Sequence, residues 1–97
     1  MSEKLIDLEP IFHLNRDMVA KLKANKHKTG WKDIDPLDLL QMLEDEVGEL
    51  RMVLEDYGFK YDATKRHASL ECADIANFAM MIHDIVTHDK YKEVVIL

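Results

Sequence analysis

Two acidic pairs carry the chemistry this sequence can do. The first is Glu46-x-x-Glu49, within LLQMLEDEVGELRMVLEDY, and the second is Glu71-x-x-Asp74, within ASLECADIANFAMMIHDIV. Carboxylates three residues apart share one face of an α-helix. Here that face is the apolar one. Leu39, Met42, Glu46, Glu49 and Val53 follow at steps of 3, 4, 3 and 4, and so do Glu71, Asp74, Phe78, Met81 and Ile85. That is the period of a core-facing stripe, apolar except where it carries its two acids. Residues 58–62, GFKYD, read as a short connection that makes the two helices antiparallel neighbours. Counted from Lys60, Glu49 lies 11 residues before and Glu71 11 after, while Glu46 lies 14 before and Asp74 14 after. Both pairs then sit roughly 16–21 Å from the turn, at one level. Unpaired, four such carboxylates repel and are costly to desolvate. A hard divalent cation removes that cost, with Mg²⁺ the first choice and Mn²⁺ a substitute.

The elements that must position these pairs are helices. Asp7 and Pro10 mark the start of a first helix over about residues 8–27, with an apolar stripe of Ile11, Leu14, Met18, Val19 and Leu22 and a stop at Gly30. It ends in a basic cluster of Lys21, Lys23, Lys26, His27 and Lys28. Such a cluster is first of all a solvated helix end whose cations suit the dipole. Its functional reading is phosphate contact, with Lys26 and Lys28 as candidates. Residues 29–35 form a loop around Trp31, which reads first as an anchor on the core and second as an aromatic wall for a base or sugar. Asp35-Pro36 opens a second helix that runs to Tyr57 before Gly58. A further stripe on it, Leu40, Leu43, Val47, Leu50, Leu54 and Tyr57, predicts burial over a wide arc and a central place in a bundle. Gly48 breaks its propensity in mid-helix. The third helix is expected over residues 63–88, Asp62 capping it, with small residues at Ala68, Cys72, Ala76 and Ala79 and Cys72 buried as a small hydrophobe. The closing YKEVVIL reads as a half-helix or as an edge for a partner chain.

Composition bounds the rest. Ninety-seven residues, 47% hydrophobic and 33% charged, make one domain, residues 1–97, of the all-α class. Its expected architecture is a helical bundle built on the antiparallel hairpin and completed by oligomerisation, as a homodimer or homotetramer. A net charge of −6 argues against nucleic acid as a partner. No apolar run reaches the ~20 residues of a membrane span, and MSEKLIDLEP has no apolar core of a secretory signal. Cys72 is the only cysteine, which favours a reducing compartment and a cytoplasmic location.

Other chemistries fit less well. Di-iron bundles use Glu-x-x-His, but Thr64, Met80 and Ile85 stand three before His67, His83 and His88. His83-Asp84 lacks the further ligands of a metal phosphohydrolase, and there is no glycine-rich phosphate loop or nucleophile elbow.

Over about residues 20–86 the chain resembles the MazG-like, all-α nucleoside triphosphate pyrophosphohydrolases, which include relatives acting on dUTP and dCTP. Their signature is Glu-Glu-x-x-Glu, a spacer, then Glu-x-x-Asp. Here it reads Asp45-Glu46-Val47-Gly48-Glu49, a spacer of 21 residues, then Glu71-Cys72-Ala73-Asp74, with Asn77 following in DIANF. Asp45 departs from the pattern, standing where the family has its first Glu. The resemblance implies hydrolysis of a nucleoside triphosphate between the α and β phosphates, giving a monophosphate and pyrophosphate. Glu46, Glu49, Glu71 and Asp74 would hold Mg²⁺, which lowers the pKa of an attacking water. One of the four, Glu49 among them, would take its proton. Asn77 would orient a substrate hydroxyl, or else make an interhelical hydrogen bond; Lys26, Lys28 and Trp31 are the further substrate contacts. The alternative function is a non-catalytic helical interaction module that retains a vestigial metal site.

Overall fold

The computed structural model describes residues 5–25, 30–57 and 61–96, the side chains of 57 and 89–96 excepted. These residues form three helices, α1 (Glu9–Ala24), α2 (Pro36–Tyr57) and α3 (Asp62–Ile96), with a 3₁₀ turn over Trp31–Asp33 before α2. There is no strand among them. Gly58 and Lys60, and with them the expected turn, lie outside the described residues.

The helix starts follow their local chemistry. Asp35 Oδ1 accepts the Leu37 N–H at 2.9 Å, and Pro36 takes the first helical position, where a missing N–H costs nothing. At α1 the cap position is Leu8, but Asp7 Oδ1 still accepts the Glu9 N–H at 3.0 Å. The expected end of α1 is corrected. The helix stops at Ala24: the Asn25 N–H closes the last helical bond to the Lys21 carbonyl at 3.1 Å, its Nδ2 donates to the same carbonyl at 3.0 Å, and its backbone leaves the helical conformation. Gly30, expected as that stop, instead precedes the 3₁₀ turn. The third helix is longer than its expected span and carries the tail to Ile96; residues 89–96 contain neither Gly nor Pro to end it.

The central place expected for the second helix belongs to α3, since α1, α2 and the 3₁₀ turn all pack on it. The core is Leu39 of α2 against Phe78, Met81 and Ile85 of α3, with Leu22, Trp31, Ile34 and Leu43 around it. Leu39, Phe78, Met81 and Ile85 are members of the two acid-bearing stripes, as is buried Val53, but Met42 of the same α2 stripe is exposed. α1 has no buried residue. Polar ties hold it: Arg66 to Asp17 at 3.2 Å, Lys21 to Asp74 at 3.2 Å, and Asn77 Nδ2 donating to the Met18 carbonyl at 3.0 Å. Ile11, Phe12 and Val19 on α1, Leu40, Val47 and Leu54 on α2, and Val86 on α3 stay exposed. Cys72, expected to be buried, is exposed as well. It belongs to a second α3 stripe of Ala68, Cys72, Ile75, Ala79, Ile82 and Val86, of which Cys72, Ala79 and Val86 are exposed while Ile82 packs against the core; Ala73, one position on from Cys72, is buried.

No close approach explains Gly48, for a Cβ built there meets nothing within 4 Å. Gly48→Ala should therefore stabilise the chain by about 0.5–1 kcal/mol through helix propensity alone. Urea titration followed by circular dichroism checks the sign; a loss of stability would mean that something packs against this position.

Candidate metal centre

The acidic cluster assembles where α2 and α3 pack together. Glu46 and Glu49 of α2 and Glu71 of α3 each offer a carboxylate oxygen within 4.8 Å of the others. Their exposure is graded: Glu71 is buried at 8%, Glu46 is half-buried and Glu49 is exposed. The fourth expected ligand, Asp74, stands outside this trio and is paired with Lys21 Nζ at 3.2 Å. It is near enough for its charge to act on Glu46.

The cluster carries an unsatisfied need. As carboxylates, Glu46 and Glu71 each bury an Oε2 that no donor reaches. On the other side of the Glu71 carboxylate, Oε1 lies 3.2 Å from His67 Nε2, one helical turn back. An acceptor-only carboxylate makes that Nε2 the donor. One proton can relieve the strain within the cluster. Glu46 has its pKa raised from 4.5 to about 8, first by a side-chain hydrogen bond to Glu71, then by burial and by the charges of Glu71, Glu49 and Asp74. A divalent cation relieves the same strain by displacing the proton. Hard oxygen donors, two of them buried without a partner, fit such an ion.

The other expected site residues divide. Asn77, 4% exposed, makes the interhelical hydrogen bond to Met18, while its Oδ1 is buried without a partner. Trp31 is half-buried against the core and donates Nε1–H to Asp84 Oδ2 at 3.1 Å, so the anchor role is present. It also lines a cavity of about 190 Å³ with Gly30, Ile34, Leu39, Met42, Phe78 and Met81. Met42 and Phe78 lie one turn from Glu46 and Asp74 along the same stripes, so the cavity adjoins the acidic level. Lys26 and Lys28 lie outside the described residues.

Sequence reasoning places Lys21 in the basic cluster near the site but not on Asp74, and it misses His67 and Asp84 as neighbours of the site. The i,i+4 spacing of His67 and Glu71 was the available signal for one of them. Lys21 and Asp84 act across helices, at separations no local pattern encodes.

No family model matches the chain, and no curated protein or solved structure matches it either. Among the described residues no helix is long and apolar enough to cross a membrane.

The raised Glu46 pKa has a signed consequence. The folded metal-free protein holds a proton that the unfolded chain releases near 4.5, so this contribution to stability is complete below that pH and is lost as pH rises through about 8. In EDTA, Glu46→Gln should flatten the loss between pH 5 and pH 8.5. Mg²⁺ binds the ionised form, and at 100 times its dissociation constant it should add about 2.7 kcal/mol. Thermal melts of both proteins with EDTA or Mg²⁺ measure this. A wild-type melt that Mg²⁺ leaves unmoved at pH 8.5 would exclude the metal centre.

Proposed function

We propose that this protein is a Mg²⁺-dependent nucleoside triphosphate pyrophosphohydrolase, cytoplasmic, that cleaves between the α and β phosphates and so clears nucleotides from the cellular pool. The observation that carries the reading is the facing pair of buried, donorless oxygens on Glu46 and Glu71, with Glu49 beside them. The resemblance of Asp45-Glu46-Val47-Gly48-Glu49 and Glu71-Cys72-Ala73-Asp74 to the MazG-like signature supplies the reaction.

Glu46, Glu49 and Glu71 hold the metal, and Asp74 is the fourth ligand. Bound there, Mg²⁺ would neutralise phosphate charge and acidify the attacking water. Of the four carboxylates, Glu49 is the best placed to take the proton from that water. It is exposed, whereas Glu71 is buried and engaged by His67, Asp74 is paired with Lys21, and Glu46 is half-buried. Asn77 donates one Nδ2–H to the Met18 carbonyl, and its Oδ1 would serve substrate as an acceptor for a hydroxyl or a water. Trp31 walls the apolar cavity one turn away, which is the place for a base or sugar when the triphosphate sits on the acids. Lys26 and Lys28 remain phosphate contacts in this reading.

The antiparallel hairpin of α2 and α3 supplies half a bundle, and the exposed Ile11, Phe12, Leu40, Val47 and Leu54 supply the face that completes it in a homodimer or homotetramer. Light scattering at micromolar concentration should show at least a dimer; a stable monomer rejects the assembly.

The test of the activity is a nucleotide panel assayed for pyrophosphate release with and without Mg²⁺. Glu49→Gln and Glu71→Gln should each lose more than the roughly ten- to hundredfold typical of residues behind a ligand, with helicity unchanged. Near-wild-type release in both variants overturns the assignment. Absence of turnover on the whole panel, with Mg²⁺ binding intact, favours the interaction module.

A further inference from the structure

Lys21 sits at the acidic level from outside the two helices that make it. Its Nζ lies 3.2 Å from Asp74 Oδ2, and both side chains are largely covered, at 29% and 20% exposure. A lysine at the end of a solvated helix has little reason to be there. Lys23, the other described cation of that helix end, is exposed. Lys21 also has polar company. Together with Asn25, Asp74 and Asn77, and with Leu22, Phe78 and Met81, it lines a small cavity of about 20 Å³, room for one water-sized group, and the Oδ1 of Asn77 is buried without a donor. The pairing explains why Asp74 stands apart from the trio of Glu46, Glu49 and Glu71.

We propose that Lys21 is the resident counter-cation of Asp74, and that it passes to a phosphate of the substrate when a divalent cation takes over the carboxylate. The proposal rests on the reading of the acidic cluster as a Mg²⁺ site. A lysine ammonium and a metal ion compete for the same Asp74 oxygens, since each neutralises them. Once displaced, the ammonium is a flexible point charge with three donors, suited to a phosphate oxygen. A triphosphate brought in with the metal supplies that oxygen at the same level. The two cations thus exchange partners without leaving an unpaired charge in a half-buried site. α1 permits the exchange because polar ties rather than a buried apolar face hold it to α3.

The exchange predicts effects of opposite sign, which a merely structural lysine does not give. Titration calorimetry compares Mg²⁺ alone with inorganic tripolyphosphate at saturating Mg²⁺, in wild type, Lys21→Met, Lys21→Gln and Lys21→Arg. Both neutral variants should bind Mg²⁺ tighter, on the order of tenfold, because the competitor is gone. They should bind tripolyphosphate weaker, also on the order of tenfold, for want of one charge-assisted contact. Lys21→Arg should keep both near wild type. If the neutral variants weaken both ligands, Lys21 only fastens α1 and the proposal fails. It fails too if wild type binds Mg²⁺ and the neutral variants bind it no tighter. A wild type that does not bind Mg²⁺ at all overturns the metal reading first, and the exchange with it.

Discussion

The arrangement depends on one electrostatic problem: carboxylates from two helices are brought to one level, where water cannot serve them all. Helix periodicity forces the problem. A stripe that buries Leu39 and Val53 on α2 must also turn Glu46 and Glu49 toward α3, and a stripe that buries Phe78, Met81 and Ile85 must do the same with Glu71 and Asp74. Apolar burial on either side of the acids holds them in place. Three features offset the cost: a Glu46 pKa raised to about 8, a hydrogen bond from His67 to Glu71, and a lysine on Asp74. A divalent cation at Glu46, Glu49 and Glu71 would offset the same cost.

α1 is the soft part of this design. It docks through Asp17, the Met18 carbonyl and Lys21, against Arg66, Asn77 and Asp74, with Leu22 as its contribution around the core. Contacts of this kind are directional, and exposed ones are individually weak, so they position a helix without fixing it rigidly. The tie at Asp74 belongs to the acidic level as well. Whatever binds the acids therefore acts on the docking of α1, and the apolar residues that α1 leaves exposed lie on the same element.

Much of this was legible in the residues. Asp35-Pro36 marks the start of α2 because cap and proline act locally, and the acid-bearing stripes predict the observed core because helix period is a strong signal. Cys72 shows the limit. Two adjacent stripes on α3 are both apolar, and period alone does not say which one faces the neighbours. The same ambiguity gave α2 the central place that α3 holds. The end of α1 was missed for another reason: Asn25 caps it through its side chain on the Lys21 carbonyl, without the left-handed turn that a glycine signals. Cross-helix partners such as Lys21 with Asp74 and Trp31 with Asp84 are separated by 53 residues, and tertiary packing alone creates them.

The grading of the three clustered acids argues for the kind of ion that suits them. A fully enclosed cage would bury all its ligands and displace the ion's water. Here Glu71 is buried, Glu46 is half-buried and Glu49 faces solvent, so one side of the cluster is protein and the other is open. Mg²⁺ gives up its waters reluctantly and is usually bound by a few carboxylates together with phosphate oxygens, whereas Ca²⁺ takes more protein oxygens around a larger sphere. A half-open carboxylate set meets the first requirement and falls short of the second. The apolar cavity under Trp31 begins one turn along, where Met42 and Phe78 continue the stripes that carry the acids. The helix repeat that creates the charge problem thus also sets an apolar pocket beside its solution.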